Sequence, residues 1–170
     1  MSNFQLKYRA LEPEDATMLF LWENDLEINE VSLSKVPFSK YILEKYIDQA
    51  HLDIQQAGQY RFVLEDFEGN AVGCVDLFDY DAVDRRAAIG IIIEKKYRQQ
   101  GFASEAISLM KDYAFNRIGM HQLYCSVGIN NVKSLKLFES AGFKQIGVRK
   151  DWSFRNGTFH DVVEFQLINN

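Results

Sequence analysis

The stretch RRAAIGIIIEKKYRQQGFASEAISLM, Arg85 to Met110, decides how the rest of the chain is read. Arg86 to Glu94 has the length and the isoleucine content of a buried strand. A short polar loop follows. Gly101 then stands just before Ala103 to about Ile118, where Ala106, Ile107, Met110, Tyr113 and Ala114 recur at the three-to-four spacing of a helix face. A helix that starts at such a loop presents unpaired backbone N–H groups and the positive end of its dipole, a site suited to phosphate. Gly101 permits positive φ, the small Ala103 leaves room above the first turn, and Arg98 supplies a charge for a phosphate oxygen. The same residues also fit a plain turn glycine with Ser104 as an ordinary helix-start hydroxyl. There is no Gly-x-x-x-x-Gly-Lys-Ser/Thr and no Gly-x-Gly-x-x-Gly, so neither a nucleoside triphosphate loop nor a dinucleotide fingerprint is supported.

Upstream, Tyr60 to Glu65 and Ala71 to Tyr80 read as strands joined by a turn at Glu68-Gly69-Asn70, and Phe4 to Arg9 alternates like a first strand. Pro13 opens a helical segment to about Leu26, with Glu12, Glu14 and Asp15 at its positive end. A second helix is predicted from Phe38 or Ser39 to about Ile54, after a polar stretch over 27–37. Downstream, Leu123, Cys125 and Val127 alternate as a strand, and two last strands, Phe143 to Phe154 and Thr158 to Ile168, flank an Asn156-Gly157 turn. Between them NNVKSLKLFESAGF, Asn130 to Phe143, is a short helix with Leu135, Phe138 and Ala141 on its buried stripe. Its opening cluster, Asn130, Asn131 and Ser134, either caps the helix or faces a ligand. The order β-α-α-β-β-β-α-β-α-β-β predicts an α/β chain of the α+β kind: one domain over 1–170, with a mixed sheet, antiparallel at first, and helices on both faces.

Bulk properties narrow the function classes. The chain has 170 residues, 47% hydrophobic and 25% charged, enough for one sizeable core. The N-terminal MSNFQLKYRALEPED lacks the apolar core of a signal peptide, and the longest apolar run is far shorter than a membrane span, so a cytoplasmic protein is expected. Cys74 and Cys125 lie in strand-like text and are expected as buried free thiols. His51, His121 and His160 are scattered and suit no metal motif. A net charge of −5 argues against nucleic acid and leans toward a cationic partner.

Arg98-Gln99-Gln100-Gly101-Phe102-Ala103 resembles the R/Q-x-x-G-x-G/A loop of the GNAT N-acetyltransferase superfamily. Asn131-Val132-Lys133-Ser134-Leu135-Lys136-Leu137-Phe138-Glu139-Ser140-Ala141-Gly142-Phe143 is similar to the family's N-x-x-S-x-x-L-Y-E-x-x-G-F, departing at one position. The order of elements also matches, so the resemblance covers essentially the whole chain. Asp76-Leu77-Phe78-Asp79-Tyr80, Arg85-Arg86-Ala87 and Asp112-Tyr113-Ala114-Phe115 place it nearest the bacterial spermidine and ribosomal-protein N-terminal acetyltransferases.

The resemblance implies a sheet whose neighbouring parallel strands splay apart to admit acetyl-CoA, the co-substrate, with no metal required. Carried over by motif, the backbone of Ile91, Ile92 and Ile93 would pair with pantetheine. The N–H groups of Arg98, Gln99, Gln100, Gly101, Phe102, Ala103 and Ser104 would hold the pyrophosphate. Asn131 and Ser134 would border the thioester end, and Phe138 would pack beside the sulfur. A neutral primary amine would attack the thioester directly, with an N–H of the central strand receiving the oxyanion. Asp76, Asp79 and Glu30 are candidate bases, and Ser134 is a candidate proton donor because Phe138 omits the hydroxyl of the family's tyrosine. Asp76 and Asp79 are expected to share a face of their strand. Glu30, Tyr41, Asp79 and Trp152 are expected at the acceptor amine, with Tyr46, Phe154 and His160 as further walls. Ala88 stands where the spermidine enzymes carry an acid. The expected activity is acetyl transfer to a small cationic amine such as a polyamine. A protein N-terminal acetyltransferase and a CoA-binding sensor with little catalysis are the alternatives. The expected partners are the amine and a second copy in a homodimer, without nucleic acid or membrane.

Overall fold

The computed structural model describes residues 5–31 and 36–169, with 29–31 described by backbone alone. Seven strands form one sheet in the order β1-β2-β3-β4-β5-β7-β6. They are β1 (Leu6–Arg9), β2 (Tyr60–Asp66), β3 (Ala71–Asp81), β4 (Arg86–Ile93), β5 (Gln122–Gly128), β6 (Lys144–Arg155) and β7 (Thr158–Ile168). Every neighbouring pair is antiparallel except β4 and β5. That exception follows from the long helix between them, since a parallel return needs a crossover.

Helices cover both faces. On one lie α1 (Ala16–Glu23), α2 (Leu26–Val31) and α3 (Lys40–Asp48), whose Leu19, Trp22, Leu43 and Ile47 are buried with Val63 and Cys74. A short α4 (Ile54–Ala57) leads into β2. On the other face α5 (Phe102–Asp112) and α6 (Val132–Ser140) bury Ala106, Ile107, Met110 and Phe138 against Ile89, Leu123, Val127 and Phe165. The two sets meet the sheet through alternate residues: Ile89 belongs to the α5 side, and Ile92 packs on the α1 side. Cys74 and Cys125 are buried free thiols. Among the described residues no helix is long and apolar enough to cross a membrane.

Three expectations are corrected. The helix from Pro13 to Leu26 is broken into a 3-10 turn (Pro13–Asp15), α1 and α2. At the break the Asn24 amide donates to the Phe20 and Phe38 carbonyls and accepts the Phe38 N–H, while Asp25 accepts the Glu27 N–H, so side chains replace the helical ladder. The helix expected to Ile54 stops at Asp48, and Asp53 caps a separate α4. The long helix starts at Phe102 rather than Ala103, and its last turn, Tyr113–Ile118, widens to π geometry before Gly119 ends it.

Strand register supplies two features that matter for the site. Asp76 and Asp79 lie three residues apart, which in a regular strand puts them on opposite faces. They share one because β3 bulges between Phe78 and Asp81, with Asp79 at φ 50. At Gly73 a Cβ would fall 2.1 Å from the Ile92 carbonyl oxygen, so only glycine lets β3 lie this close to β4 there.

Candidate active site

The parallel pairing of β4 with β5 covers three residues: Arg86 with Gln122, Ala87 with Leu123, and Ala88 with Tyr124. β4 nevertheless runs on to Ile93, held by β3, and β5 to Gly128, held by β7. From Ala88 onward the two strands part, and β4 presents a backbone edge unpaired with β5 from Ile89 to Ile93, where the Ile93 carbonyl is taken by Arg98 Nε at 2.9 Å. Ile91 and Ile93 keep their side chains in the core, so backbone binding does not compete with packing. An extended amide-bearing chain can add to this edge as a further strand.

The loop after β4 ends in two left-handed residues just before a helix start. Gln99 (φ 63) and Gly101 (φ 89) both take the left-handed region, and Gly101 is the N-cap of α5 with no side chain capping the first turn. A Cβ on Gly101 would meet nothing within 4 Å, so the space above it is open. Gln99, Gln100, Gly101 and Ser104 are exposed, Ala103 half-buried and Phe102 buried against Tyr97. The Gln100 amide closes the loop on the Lys96 carbonyl at 2.9 Å. Arg98, expected to meet a phosphate oxygen, has its side chain engaged within the protein: Nε donates to the Ile93 carbonyl at 2.9 Å and Nη1 lies 3.2 Å from Glu27. It braces the loop against β4 and α2. Lys95, which bonds the Glu27 carboxyl, and to a lesser degree Arg98 hold that carboxyl below its usual range.

α6 borders the far side of the fork. Asn131 caps it, its Oδ1 accepting the Ser134 N–H at 3.1 Å. The two residues are therefore tied by a capping bond, and Ser134 is half-buried on the first turn. Phe138 is 6% exposed, edge-on to Phe143 at 5.2 Å and stacked on Phe165 at 6.4 Å. Its ring is first a core side chain.

The acceptor side holds a cavity of about 690 Å³ lined by Glu23, Phe38, Ile42, Tyr46, Tyr60, Arg61, Asp76, Phe78, Asp79 and Tyr80, among others. It abuts the central strand: a Cβ on Gly90 would lie 3.4 Å from Phe78 and 3.8 Å from Asp76. Arg61 sits within it, bidentate to Asp76 at 2.7 and 2.8 Å and bonded to Glu23. Burial opposes the Arg61 charge, but the two carboxylates outweigh it and hold the guanidinium well above its ordinary pKa. Tyr46, with Arg61 5.7 Å from its ring centroid, is pushed up to about 12, mainly by burial. Three carboxylates against one guanidinium leave the cavity two net negative charges.

Of the acceptor residues expected from the sequence, Asp79 and Tyr46 line this cavity. Asp76 does too, but both its oxygens are engaged by Arg61, which makes it an anchor rather than a free base. Tyr41 (63% exposed, under Lys45) and Trp152 (57% exposed, under Arg149) lie outside its lining. On the final hairpin Phe154 meets Phe159 in a tilted ring pair at 4.9 Å, and His160 bonds Thr158 and, on the loop before α6, Asn130. The side chain of Glu30 lies outside the described residues. Glu23, Phe38, Arg61 and Tyr80 are the residues sequence reasoning missed. The one local signal was Arg61, a lone arginine in strand text. No cluster of three or more His, Cys, Asp or Glu side chains suited to a metal is found among the described residues.

An open strand edge at a three-residue parallel pair, ending in a glycine-capped helix start, is decisive once matched to known proteins. Residues 5–144 match the acetyltransferase (GNAT) domain model. The chain belongs to the GNAT acetyltransferase family. It is 29% identical over 168 residues to a spermidine N(1)-acetyltransferase of Vibrio cholerae serotype O1, covering 99% of this chain and 95% of that protein. A crystal structure of spermidine N-acetyltransferase from Vibrio cholerae in complex with CoA and spermine superposes with a TM-score of 0.90 at 30% identity, covering 98% of this chain and 96% of that one. A dodecameric structure of the Vibrio cholerae enzyme gives 0.83 at 30% identity, covering 98% and 95%. The fold is thus the GNAT fold, and this GNAT chain is an N-acetyltransferase that uses acetyl-CoA.

Proposed function

We propose that this GNAT enzyme acetylates a primary amine of a small polycation such as spermidine. One observation carries the reading: the acidic, aromatic-walled cavity over Gly90 opens beside the free edge of β4. Carboxylates with tyrosine and phenylalanine faces suit an aliphatic ammonium chain better than a neutral or anionic acceptor. The relatives that act on spermidine support the same choice.

In this reading acetyl-CoA, when bound, supplies an acetyl thioester. The backbone of Ile91 to Ile93 holds its amide-bearing arm, and N–H groups from Arg98 to Ser104 receive its pyrophosphate. Asn131 and Ser134 border the thioester end, and the edge of Phe138 closes the floor. Asp79, on the bulge, and the Glu23–Arg61–Asp76 group fix the polycation so that one amine reaches the fork. The free edge of β6 and the exposed Ile146, Trp152, Phe154 and Phe159 support self-association of the chain, as a dimer or a larger ring.

The test is acetyl-CoA-dependent thiol release with spermidine, spermine, monoamines, amino acids and N-terminal peptides as acceptors. Polyamines should give the highest kcat/KM. Turnover with peptides alone overturns the reading in favour of a protein N-terminal acetyltransferase. CoA binding without turnover on any acceptor favours a sensor.

A further inference from the structure

The β5–β7 side of the fork carries a polar pair that the reading above leaves unused. On β5, Leu123, Cys125 and Val127 are buried toward α5 and α6, so Tyr124 and Ser126 project from the other face, the one that carries the acceptor cavity. Tyr124 is the last β5 residue paired with β4; Ser126, two residues on, is the first side chain on that face beyond the fork. Ser126 is in register with Glu164 of β7, and its hydroxyl donates to Glu164 Oε2 at 2.9 Å.

That bond fixes what Ser126 can offer the fork. A serine hydroxyl has one proton, and here it is committed to the carboxylate, so toward the fork Ser126 presents lone pairs only. Behind it, Glu164 is 13% exposed at its side chain, and its Oε1 is a buried oxygen without a hydrogen-bond partner. Arg149 Nε on β6 lies 3.2 Å from that oxygen as an ion pair, without a directed hydrogen bond. Tyr124 and Cys125 on β5 also feel the Glu164 charge. Arg149 is therefore the cation facing this carboxylate, and the tyrosine and the thiol are the neutral acids near it. Meanwhile Asp76 is spent on Arg61, and Ala88 brings no acid to the central strand.

We propose that Ser126 is the catalytic hydroxyl that accepts the proton of the attacking amine, with Glu164 as the positioning carboxylate that takes Ser126's own proton in return. The proposal rests on acetyl transfer to an amine, whatever that amine is. The balance is simple. As the N–C bond forms and the C–S bond breaks, the electron pair leaves on sulfur. The amine N–H proton moves to Ser126 Oγ, and the Ser126 proton moves to Glu164 Oε2.

The experiment compares Glu164→Gln, Ser126→Ala and Ser126→Thr with the wild type, using whichever acceptor the wild type turns over best. If the wild type uses no polyamine but does use a peptide, the acceptor reading fails and this test proceeds unchanged. Glu164→Gln and Ser126→Ala should each lower kcat/KM about 100-fold near pH 7, the scale of a lost acid–base group. The deficit should shrink as the pH approaches about 10, where solution supplies neutral amine and hydroxide. The double variant should be no worse than either single one, and Ser126→Thr, which keeps a hydroxyl, should retain most of the rate. CoA affinity by calorimetry and the thermal midpoint should stay near wild type in Glu164→Gln. A deficit of the same factor at every pH, or additive losses in the double variant, returns Glu164 to the role of an anchor for Arg149 and overturns the proposal.

Discussion

On one side of the central strand this enzyme offers backbone, and on the other it offers side chains. The proposed coenzyme half consists of the β4 edge, two left-handed residues at Gln99 and Gly101, and the start of α5, which no side chain caps. Its elements adjoin in sequence, from Ile89 to Ser104. The proposed acceptor half gathers Glu23 from α1, Phe38 and Tyr46 from around α3, Arg61 from β2 and Asp79 from β3. Backbone chemistry is the same whatever residues surround it, so the first half tolerates sequence drift outside its glycines. The second half depends on which side chains the fold brings together, and in the proposed reading acceptor choice resides there.

Removing Arg61 should have the largest effect, and on one half only. Its side chain and those of Glu23 and Asp76 are each less than one-fifth exposed. Arg61→Ala leaves two mostly buried carboxylates without their cation, a loss of roughly 3–5 kcal/mol for a broken buried pair. Urea unfolding measures it. At urea concentrations where the variant is still folded, CoA affinity should match the wild type, while the KM for the amine rises. Equal damage to CoA binding would mean the two halves are not separable.

Gly101 probes the opposite half. Gly101→Val places a branched side chain where the ligand's phosphates would sit, and its Cβ would meet no protein atom within 4 Å. Losing two charge-assisted N–H contacts at about 1.5 kcal/mol each weakens CoA binding about 100-fold. The left-handed φ adds a folding cost of about 1–2 kcal/mol. Gly69→Val is the matched control, since Gly69 has φ 86 and also meets nothing within 4 Å, but lies in the β2–β3 turn. It should show the same loss of stability with CoA affinity intact. If both variants bind CoA like the wild type, the proposed pyrophosphate site is misplaced.

The contrast also explains what the sequence made legible. The strand–loop–helix stretch around Gly101 is local, so its periodicity and its glycine were enough. The Asn156-Gly157 hairpin and the end of β7 at Ile168 were readable for the same reason. Glu23 and Arg61 are 38 residues apart, and nothing in either neighbourhood announces the other. The shared face of Asp76 and Asp79 depends on a bulge, a matter of register with β4 that a single strand cannot reveal. Helix α1 ends early because Asn24 bonds a residue 14 positions away, again a non-local cause. Trp152 and Tyr41 were expected as walls because large aromatics suggest one; they lie outside the cavity's lining, exposed beneath cations.

In the proposed reading Phe138 lies where the halves meet. Phe138→Tyr restores the family's hydroxyl but sets it beside Phe143 and Phe165, at a position 6% exposed. Should the hydroxyl reach the fork and its bound ligand, turnover rises and the basic limb of the pH profile moves. The enclosure favours the other outcome: rate and profile unchanged, with stability falling by about 1–3 kcal/mol for a buried hydroxyl lacking a partner. Turnover and unfolding measured on the same variant decide between them.

The smallest effect separates two duties of one residue. Asn131 Oδ1 caps α6, and its amide is the part left to meet the thioester arm. Asn131→Ala removes both and should cost about 1 kcal/mol of stability, the ordinary value of an N-cap. Asn131→Asp keeps the capping oxygen, adds a charge favourable to the helix start and deletes the amide donor. If Asn131 only caps, the aspartate variant is as stable as the wild type and binds CoA equally well. If it also serves the coenzyme half, stability stays and CoA affinity drops several-fold, because an acceptor now stands where a donor was. That second outcome would mean the coenzyme half, too, uses at least one side chain, and would narrow its difference from the acceptor half to one of degree.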